Sequence, residues 1–578
     1  MNRFFLKALV ILLSVFPLGA AVYSSANQLS LESIERRSAI LSDGTYSVLN
    51  GTQIQKENNL IGIVRNSKTG KAIAGVPVTD GYTFAITDRN GVYQLKADKN
   101  ARLVYYSLPR DYEVSVDPKT KFPAFFAYLE TGPATKQQRN DFALTPMSKK
   151  EKNFTLLMIG DPQAKKEEHV GRFKNETMAD IMTTVRAGQD KGRFGNVYAF
   201  TLGDMIHDTP ELWDGMADAL RGCEISPYKY LPIFNCVGNH DHDAAASNDI
   251  EALNKFRSLF GPSDYSLDRA GTHIVVMDNV VCKSSTGKKW IYDGGFTPEQ
   301  IKWLKQDLSL VKDKENKMIV LVCHIPFRKG NKSGGSNMNH DKYYTEVLDL
   351  MAGFKEAHIM IGHTHYPNNY IHPQKTLNGL NVYEHVHGAS SGGWWFSNLN
   401  VDGSPNGFSI YDVRDNAMHN WVAKATGRPE SFQMRVYDGN QIYGDKYNYT
   451  WYSGGVGGPA QIQTPGNPQL KGCFVVSLWN DDPENWQVFF RQGGKDYPMT
   501  RVTEPVADMC ATSFFFNERG KNSKSWDKAV NHYWYFKPQY GVPSNEKDWE
   551  VVAVQTIPGS GVKNVYKSST LQTDYSGF

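Results

Sequence analysis

Five short stretches of the sequence share one design, an apolar run that stops at residues able to bind a metal ion. They are LLMIGDPQ at 156–163, VYAFTLGD at 197–204, PIFNCVGNHDH at 232–242, MIVLVCH at 318–324 and HIMIGHTH at 358–365. Their ends supply Asp161, Gln163, Asp204, Asn239, His324, His363 and His365. Carboxylate, carboxamide and imidazole donors in combination suit Mn, Fe or Zn better than the all-oxygen shell of calcium. Such a set could serve reactions at phosphorus. The negative phosphoryl group repels an attacking hydroxide, and two cations about 3.5–4 Å apart can hold the ester, supply the hydroxide and neutralise developing charge. A lone Gly-Asp or Asn-His pair is an ordinary turn, but five such endings in one order point to a metal site.

The apolar runs must be the strands that carry these residues. The run 233–237 reads as a buried strand, and Gly238 lets the chain turn where it stops, so Asn239, His240 and Asp241 leave the sheet on a loop. Open α/β sheets gather their ligands at such strand ends. Helical patterns alternate with the runs, at 175–189, 210–220, 248–259, 298–311 and 343–354. Thr297-Pro298-Glu299-Gln300 has the N-cap, the first-turn proline and the Gln three residues on that start a helix. The alternation predicts an α/β core of layered sheet flanked by helices over 152–403.

The rest of the chain has a different texture. With 578 residues it is long enough for several domains, and 63 Lys+Arg against 60 Asp+Glu leave a net charge of +3. That balance gives no reason to expect a nucleic-acid partner. Arg3 and Lys7 precede an apolar run at 8–18, and Gly19, Ala20 and Ala21 follow. This is the layout of a secretory signal peptide over 1–21, and it implies an exported protein, periplasmic or secreted. No later segment reads as a membrane span. Residues 22–59 are polar and weakly patterned, and read as a linker. From Leu60 to about residue 146, short β-branched and aromatic runs broken by glycines and Asn90-Gly91 predict a small β-sandwich. Beyond residue 407 similar runs, GFSIYDV, QMRVYD, CFVVSLW and others, predict a second sandwich over 407–578. Of the six cysteines, Cys223 with Cys236 or Cys473 with Cys510 could form a disulfide.

At the metal-ligand stretches the chain resembles the calcineurin-like metallophosphoesterase superfamily, whose motifs run D-x-H, G-D, G-N-H-D/E, a lone H, then G-H-x-H. The resemblance implies a four-layer α/β/β/α core and two divalent metal ions. Asp161, Gln163 and His365 would hold one, Asn239, His324 and His363 the other, and Asp204 would bridge them. A metal-bridging hydroxide would attack phosphorus, with His240 as the general acid that protonates the departing oxygen. The phrases GIVRNSKTGKAIAGVPV and TDRNGVYQL resemble transthyretin-like modules attached to exported bacterial enzymes. The order of module, core and C-terminal β domain looks like a group of exported bacterial phosphoesterases.

Two positions depart from the commonest family pattern. Gln163 stands where a His is usual, and His207 follows the bridging Asp where other branches have Tyr or Asp. The carboxylate orienting His240 is then Asp208, Asp241 or neither. Substrate contacts are expected among Asp208, Asp241, His387, Trp394 and Trp395, with His242, Asp243, His340 and His385 as weaker candidates. The two tryptophans could wall the cleft or cement the core to the C-terminal domain. The substrate class is a phosphomonoester or phosphodiester: a small molecule, a nucleotide or a phospholipid head group. The alternative reading is a surface binding or display protein with a vestigial phosphoesterase core.

Overall fold

The computed structural model describes residues 25–130, 136–221, 223–226, 229–328, 343–442, 470–519, 528–539 and 548–572. The stretch read as a signal peptide, 1–21, and His340 lie outside these residues.

The core is built on two sheets. In the first, β1 (Asn153–Ile159), β2 (Asn196–Thr201) and β3 (Ile233–Phe234) run parallel, and β1 also pairs antiparallel with a later strand, Gly407–Arg414. That strand forms a hairpin with Ala417–Ala425 at the sheet edge. The second sheet contains β4 (Tyr265–Arg269), β5 (Thr272–Val276), β6 (Met318–Val322) and β7 (Glu356–Ile361), continued by Asn381–Val386 and Tyr370–Lys375. Strands β5, β6 and β7 are parallel.

Because side chains alternate along a strand, each sheet shows two different faces. Leu156 and Met158 of β1 pack with Phe200, Ile274, Val320 and Met360 in one cluster between the sheets. Leu157 and Ile159 point the other way, onto α1 (Ala179–Asp190) and α2 (Trp213–Arg221). On the far side, Val275, Ile319, Leu321 and Ile359 pack against α3 (Pro298–Leu310) and α4 (Tyr344–Ala352). The order is therefore helix, sheet, sheet, helix, the four-layer architecture expected. The start of α3 is the reciprocal cap read from the sequence: Thr297 Oγ1 accepts from the Gln300 amide, and Gln300 Oε1 accepts from the Thr297 amide at 2.9 Å.

Two expected boundaries are corrected. Residues 407–425 do not open the C-terminal domain but complete the first core sheet, where Tyr411 and Val413 join the inter-sheet cluster. Residues 25–59 are not an extended linker. They fold into a helix, Ser25–Arg36, and a three-stranded sheet, because Ile34, Leu49 and Ile54 close over Ile61, Ile63 and Val92 of the N-terminal β domain. That domain has two four-stranded sheets, and the C-terminal domain pairs two more around Phe474, Phe490 and Trp549. Neither Cys223 with Cys236 nor Cys473 with Cys510 is joined by a disulfide. Among the described residues, no helix is long and apolar enough to cross a membrane.

Candidate metal centre

The loops after β1, β2, β3, β6 and β7 all open at the carboxyl end of their sheets, and the two sheets bring those ends together. The contact is close enough to dictate glycine. A Cβ on Gly238 would lie 2.1 Å from the amide nitrogen of Asp204, and one on Gly203 would lie 2.7 Å from Gly238 Cα. The backbone of the Gly-Asp loop thus rests directly on that of the Gly-Asn-His loop.

The side chains meet in the same place. Oxygen and nitrogen donors of Asp204, His324 and His363 form one group within 4.8 Å of one another, and those of Asp161, Asp204 and His365 form a second. Asp204 belongs to both. Asn239 Oδ1 lies 3.0 Å from His324 Nε2 and 2.9 Å from His363 Nδ1, which adds the carboxamide to the first group. His324 Nδ1 donates to the Leu202 carbonyl at 2.7 Å, so Nε2 presents its lone pair to the cluster. Asp161 accepts from the His363 backbone amide at 3.0 Å and lies 3.6 Å from His365 Nε2.

The arrangement is strained in two independent ways. Asp161, Gln163, Asp204, His363 and His365 all have left-handed backbone, with φ of 41°, 41°, 51°, 69° and 66°, a conformation costing roughly 1–2 kcal/mol for an ordinary L-residue. The electrostatics are equally unsettled. Burial, reinforced by the neighbouring Asp204, pushes Asp161 up to about 8. Burial drives His363 and His365 down to about 3. Burial also opposes charge on Asp204, but His324 and His240 outweigh it and hold that carboxyl well below its usual range. Carboxylate oxygens and imidazole nitrogens crowded together out of solvent, whose ionisation burial disturbs, are a donor set that a pair of divalent cations fits, because metal binding takes both in their deprotonated forms.

His240 stands beside this cluster. Its backbone amide donates to Asp204 Oδ1 at 2.9 Å, and its Nδ1 is 2.9 Å from Asp208 Oδ2. Burial lowers its basicity, but Asp204 and Asp208 together raise it above the ordinary value. Of the carboxylates weighed for orienting it, Asp208 has the part. Asp241 does something else: its oxygens accept from the Met205, Ile206 and Gly238 amides and clamp two loops together. It is 2 % exposed.

Other expected contacts are redistributed. Gln163 donates through Nε2 to Asp204 Oδ2 at 2.8 Å, while its Oε1 accepts from Trp394 Nε1. Because an indole can only donate, this fixes the oxygen on Trp394 and turns the amide nitrogen to the cluster. Gln163 therefore links the cluster to Trp394 in place of the expected oxygen ligation. Trp394 stands edge-on to His365, with ring centroids 5.0 Å apart, and also packs on the C-terminal cluster around Tyr437 and Phe514. It is both wall and cement. Trp395 turns away, donating to the Pro162 carbonyl and packing on Phe173 and Arg172. His387 is spent inside the fold, its Nδ1 on the Ile361 carbonyl and its Nε2 on the Tyr411 hydroxyl. His385 is buried against His358, and the Asp243 carboxylate accepts from the Ala245 amide.

Two further residues shape the centre. His207 stacks on His240 at 4.2 Å and 17° between planes, and burial together with His240 pushes it down to about 4. Asn279 Oδ1 accepts from the amides of His324 and Ile325 and so holds the loop after β6. The signal for Asn279 was present in GTHIVVMDN, another apolar run ending in polar residues.

Family models match three consecutive parts of the chain. One described as the N terminal of calcineurin-like phosphoesterase matches residues 59–147, calcineurin-like phosphoesterase matches 154–367, and the C terminal of calcineurin-like phosphoesterase matches 384–558. Among solved structures, a purple acid phosphatase from yellow lupin (Lupinus luteus) seeds is 13% identical, with 57% of this chain and 61% of that one covered and a TM-score of 0.30. The NAD nucleotidase of Haemophilus influenzae is 12% identical, with 47% and 49% covered and a TM-score of 0.26. The chain thus spans less than two thirds of either of those proteins. Comparison with curated proteins gives no match.

Proposed function

The chain belongs to the calcineurin-like phosphoesterase family and is a hydrolase of phosphoester bonds, and from that premise we propose how its own residues do the work. The observation that carries the reading is the convergence of Asp161, Asp204, Asn239, His324, His363 and His365 from five separate loops. Asp161, Asp204 and His365 would hold one divalent ion, and Asp204, Asn239, His324 and His363 would hold a second. Bound there, such ions would supply the nucleophile and neutralise charge on the phosphoryl group. Gln163 steadies the shared carboxylate. Asp208 engages Nδ1 of His240, which leaves Nε2 as the atom that hands a proton to the departing oxygen. Asn279 and Asp241 keep the loops in register.

The reading extends to a small phosphomonoester or phosphodiester substrate, a nucleotide or a lipid head group among them, and to export, which rests on the basic and apolar character of the first residues. The test is hydrolysis of p-nitrophenyl phosphate and bis-p-nitrophenyl phosphate by the full chain with and without added Mn. We expect metal-dependent turnover of at least one, and the preference between them gives the ester class. No turnover of either by metal-loaded protein would leave the binding-protein reading in its place.

A further inference from the structure

A second cluster of metal-ligand side chains lies behind the His240 loop and shares no residue with the centre described above. His242 comes from that loop, Asp249 from the first turn of the helix Asp249–Ala252, Asp278 from the loop after β5, and Cys282 from the strand Val280–Ser285. The donor atoms of His242, Asp249 and Cys282 all lie within 4.8 Å of one another. His242 Nε2 is 3.3 Å from Asp278 Oδ2 and 3.9 Å from Asp249 Oδ1. A tetrahedral ion with bonds of about 2.0–2.3 Å holds its ligand atoms roughly 3.3–3.8 Å apart, close to the two separations from His242 Nε2.

The histidine supplies an independent sign. Its side chain is wholly buried, and its Nδ1 is engaged by the Gly238 carbonyl at 3.0 Å, the arrangement that fixes the tautomer of a metal-bound imidazole. Its Nε2 faces Asp278 Oδ2 at 3.3 Å, with the Asp249 carboxylate and the Cys282 thiol beside it. A single ring N–H can serve only one of these three groups.

We propose that His242, Asp249, Asp278 and Cys282 bind a structural zinc ion, with the Cys282 proton released to solvent on binding. One nitrogen, two oxygens and one thiolate close a four-coordinate shell and leave no open position for substrate, which makes the ion structural. Its place gives it a task. The hairpin of Val280–Ser285 and Trp290–Gly294 lies over the loop beyond His242, where Trp290 Nε1 donates to the Asp243 carbonyl at 2.9 Å. Tyr292 of the same hairpin stands edge-on to His363, 6.4 Å between centroids. Zinc would pin this hairpin to the loop that carries Asn239 and His240.

The experiment uses the full chain, with thiols reduced, loaded with zinc and separately with cobalt(II). Wild type should carry one more tightly held ion per chain than Cys282→Ala. Its cobalt form should show the near-ultraviolet thiolate-to-cobalt band, and Cys282→Ala should lack it. This band reports only a thiolate ligand, so it is blind to the phosphoesterase centre and to activity. Should Cys282→Ala fold poorly, Asp249→Asn, at a side chain one-third exposed, should weaken zinc retention at this site about tenfold or more. Equal metal content in wild type and Cys282→Ala, or no thiolate band in reduced wild type, overturns the proposal. So does unchanged zinc retention in a folded Asp249→Asn.

Discussion

Two clusters of histidine and aspartate lie in and beside the second core sheet, one at each end, and they are made differently. At the end away from the metal centre, His273 on β5 sits between Asp268 Oδ1 and Asp307 Oδ2, each 2.8 Å from a ring nitrogen. Ser266 Oγ donates to the remaining oxygen of Asp307 at 2.7 Å. Donors meet acceptors, and none of these residues has left-handed backbone. At the carboxyl end, His324 Nε2 faces His363 Nδ1 at 3.2 Å and Asp204 Oδ2 at 3.3 Å, two carboxylates crowd each other, and five residues have left-handed φ. The same residue types thus give a finished ion pair in one place and an unfinished one in the other. Only the second has a use for added positive charge, and the fold sustains its strain through the apolar layers on either side of each sheet.

The sharpest way to break this contrast is to change the carboxylate common to both halves of the centre. Asp204→Asn should bring hydrolysis down to the uncatalysed background and abolish any rise in melting temperature on adding Mn, since a ligand stabilises only the state that binds it. Retained activity, or an undiminished Mn-dependent shift, would show that Asp204 is not the shared ligand. His240→Asn should come next, with a loss of about 10²–10⁴-fold in turnover while metal content and the Mn-dependent shift stay as in wild type. A variant near the wild-type rate would remove His240 from the chemistry.

The finished cluster should answer in the opposite currency. His273→Ala leaves the buried Asp307 carboxylate without its cation and should cost about 3–5 kcal/mol of stability, with turnover per folded molecule unchanged. Proton linkage gives a second reading. Burial lowers the basicity of His273, but Asp307 and Asp268 outweigh it and raise the group to about 10 in the fold, against about 6.5 when unfolded. Its contribution is therefore whole below pH 6.5 and is lost as pH climbs from there to about 10. Denaturant melts across that window should show wild type losing stability that His273→Ala no longer has to lose. Parallel curves for the two proteins would contradict the assignment.

How much of this was legible in the sequence depends on how local the cause is. The strand ends were legible because an apolar run, a glycine and a polar ligand are neighbours in the chain, and the start of α3 was legible because its cap is closed by residues three apart. The two-sheet core followed from the alternation of patterns. The strand Gly407–Arg414 was misassigned because its run, GFSIYDV, would suit a sandwich equally well, and only its pairing with Asn153–Ile159 decides the matter. Residues 25–59 looked like a linker because a few apolar side chains, Ile34, Leu49 and Ile54, suffice once a partner sheet covers them. Asp241 and His387 looked available to substrate because sequence shows that a polar group exists but not which backbone amide or hydroxyl has already claimed it.

Gln163 is the residue where that last limit has a measurable consequence. Its oxygen is fixed by a tryptophan more than two hundred positions away, so no local pattern could have shown that its amide nitrogen faces Asp204. Trp394→Phe keeps the aromatic wall beside His365 but removes the indole proton that holds this orientation. The lost hydrogen bond is worth about 1 kcal/mol, and the amide becomes free to rotate and present its oxygen to the centre. The expected effect is correspondingly small: a change of several-fold in the Mn concentration needed for half-maximal activity, with stability and ester preference intact. A tighter Mn requirement would mean that the indole withholds an oxygen ligand, and a weaker one that it steadies Asp204 through Gln163. An unchanged requirement would mean that the Trp394 to Gln163 link has no hold on the metal centre at all.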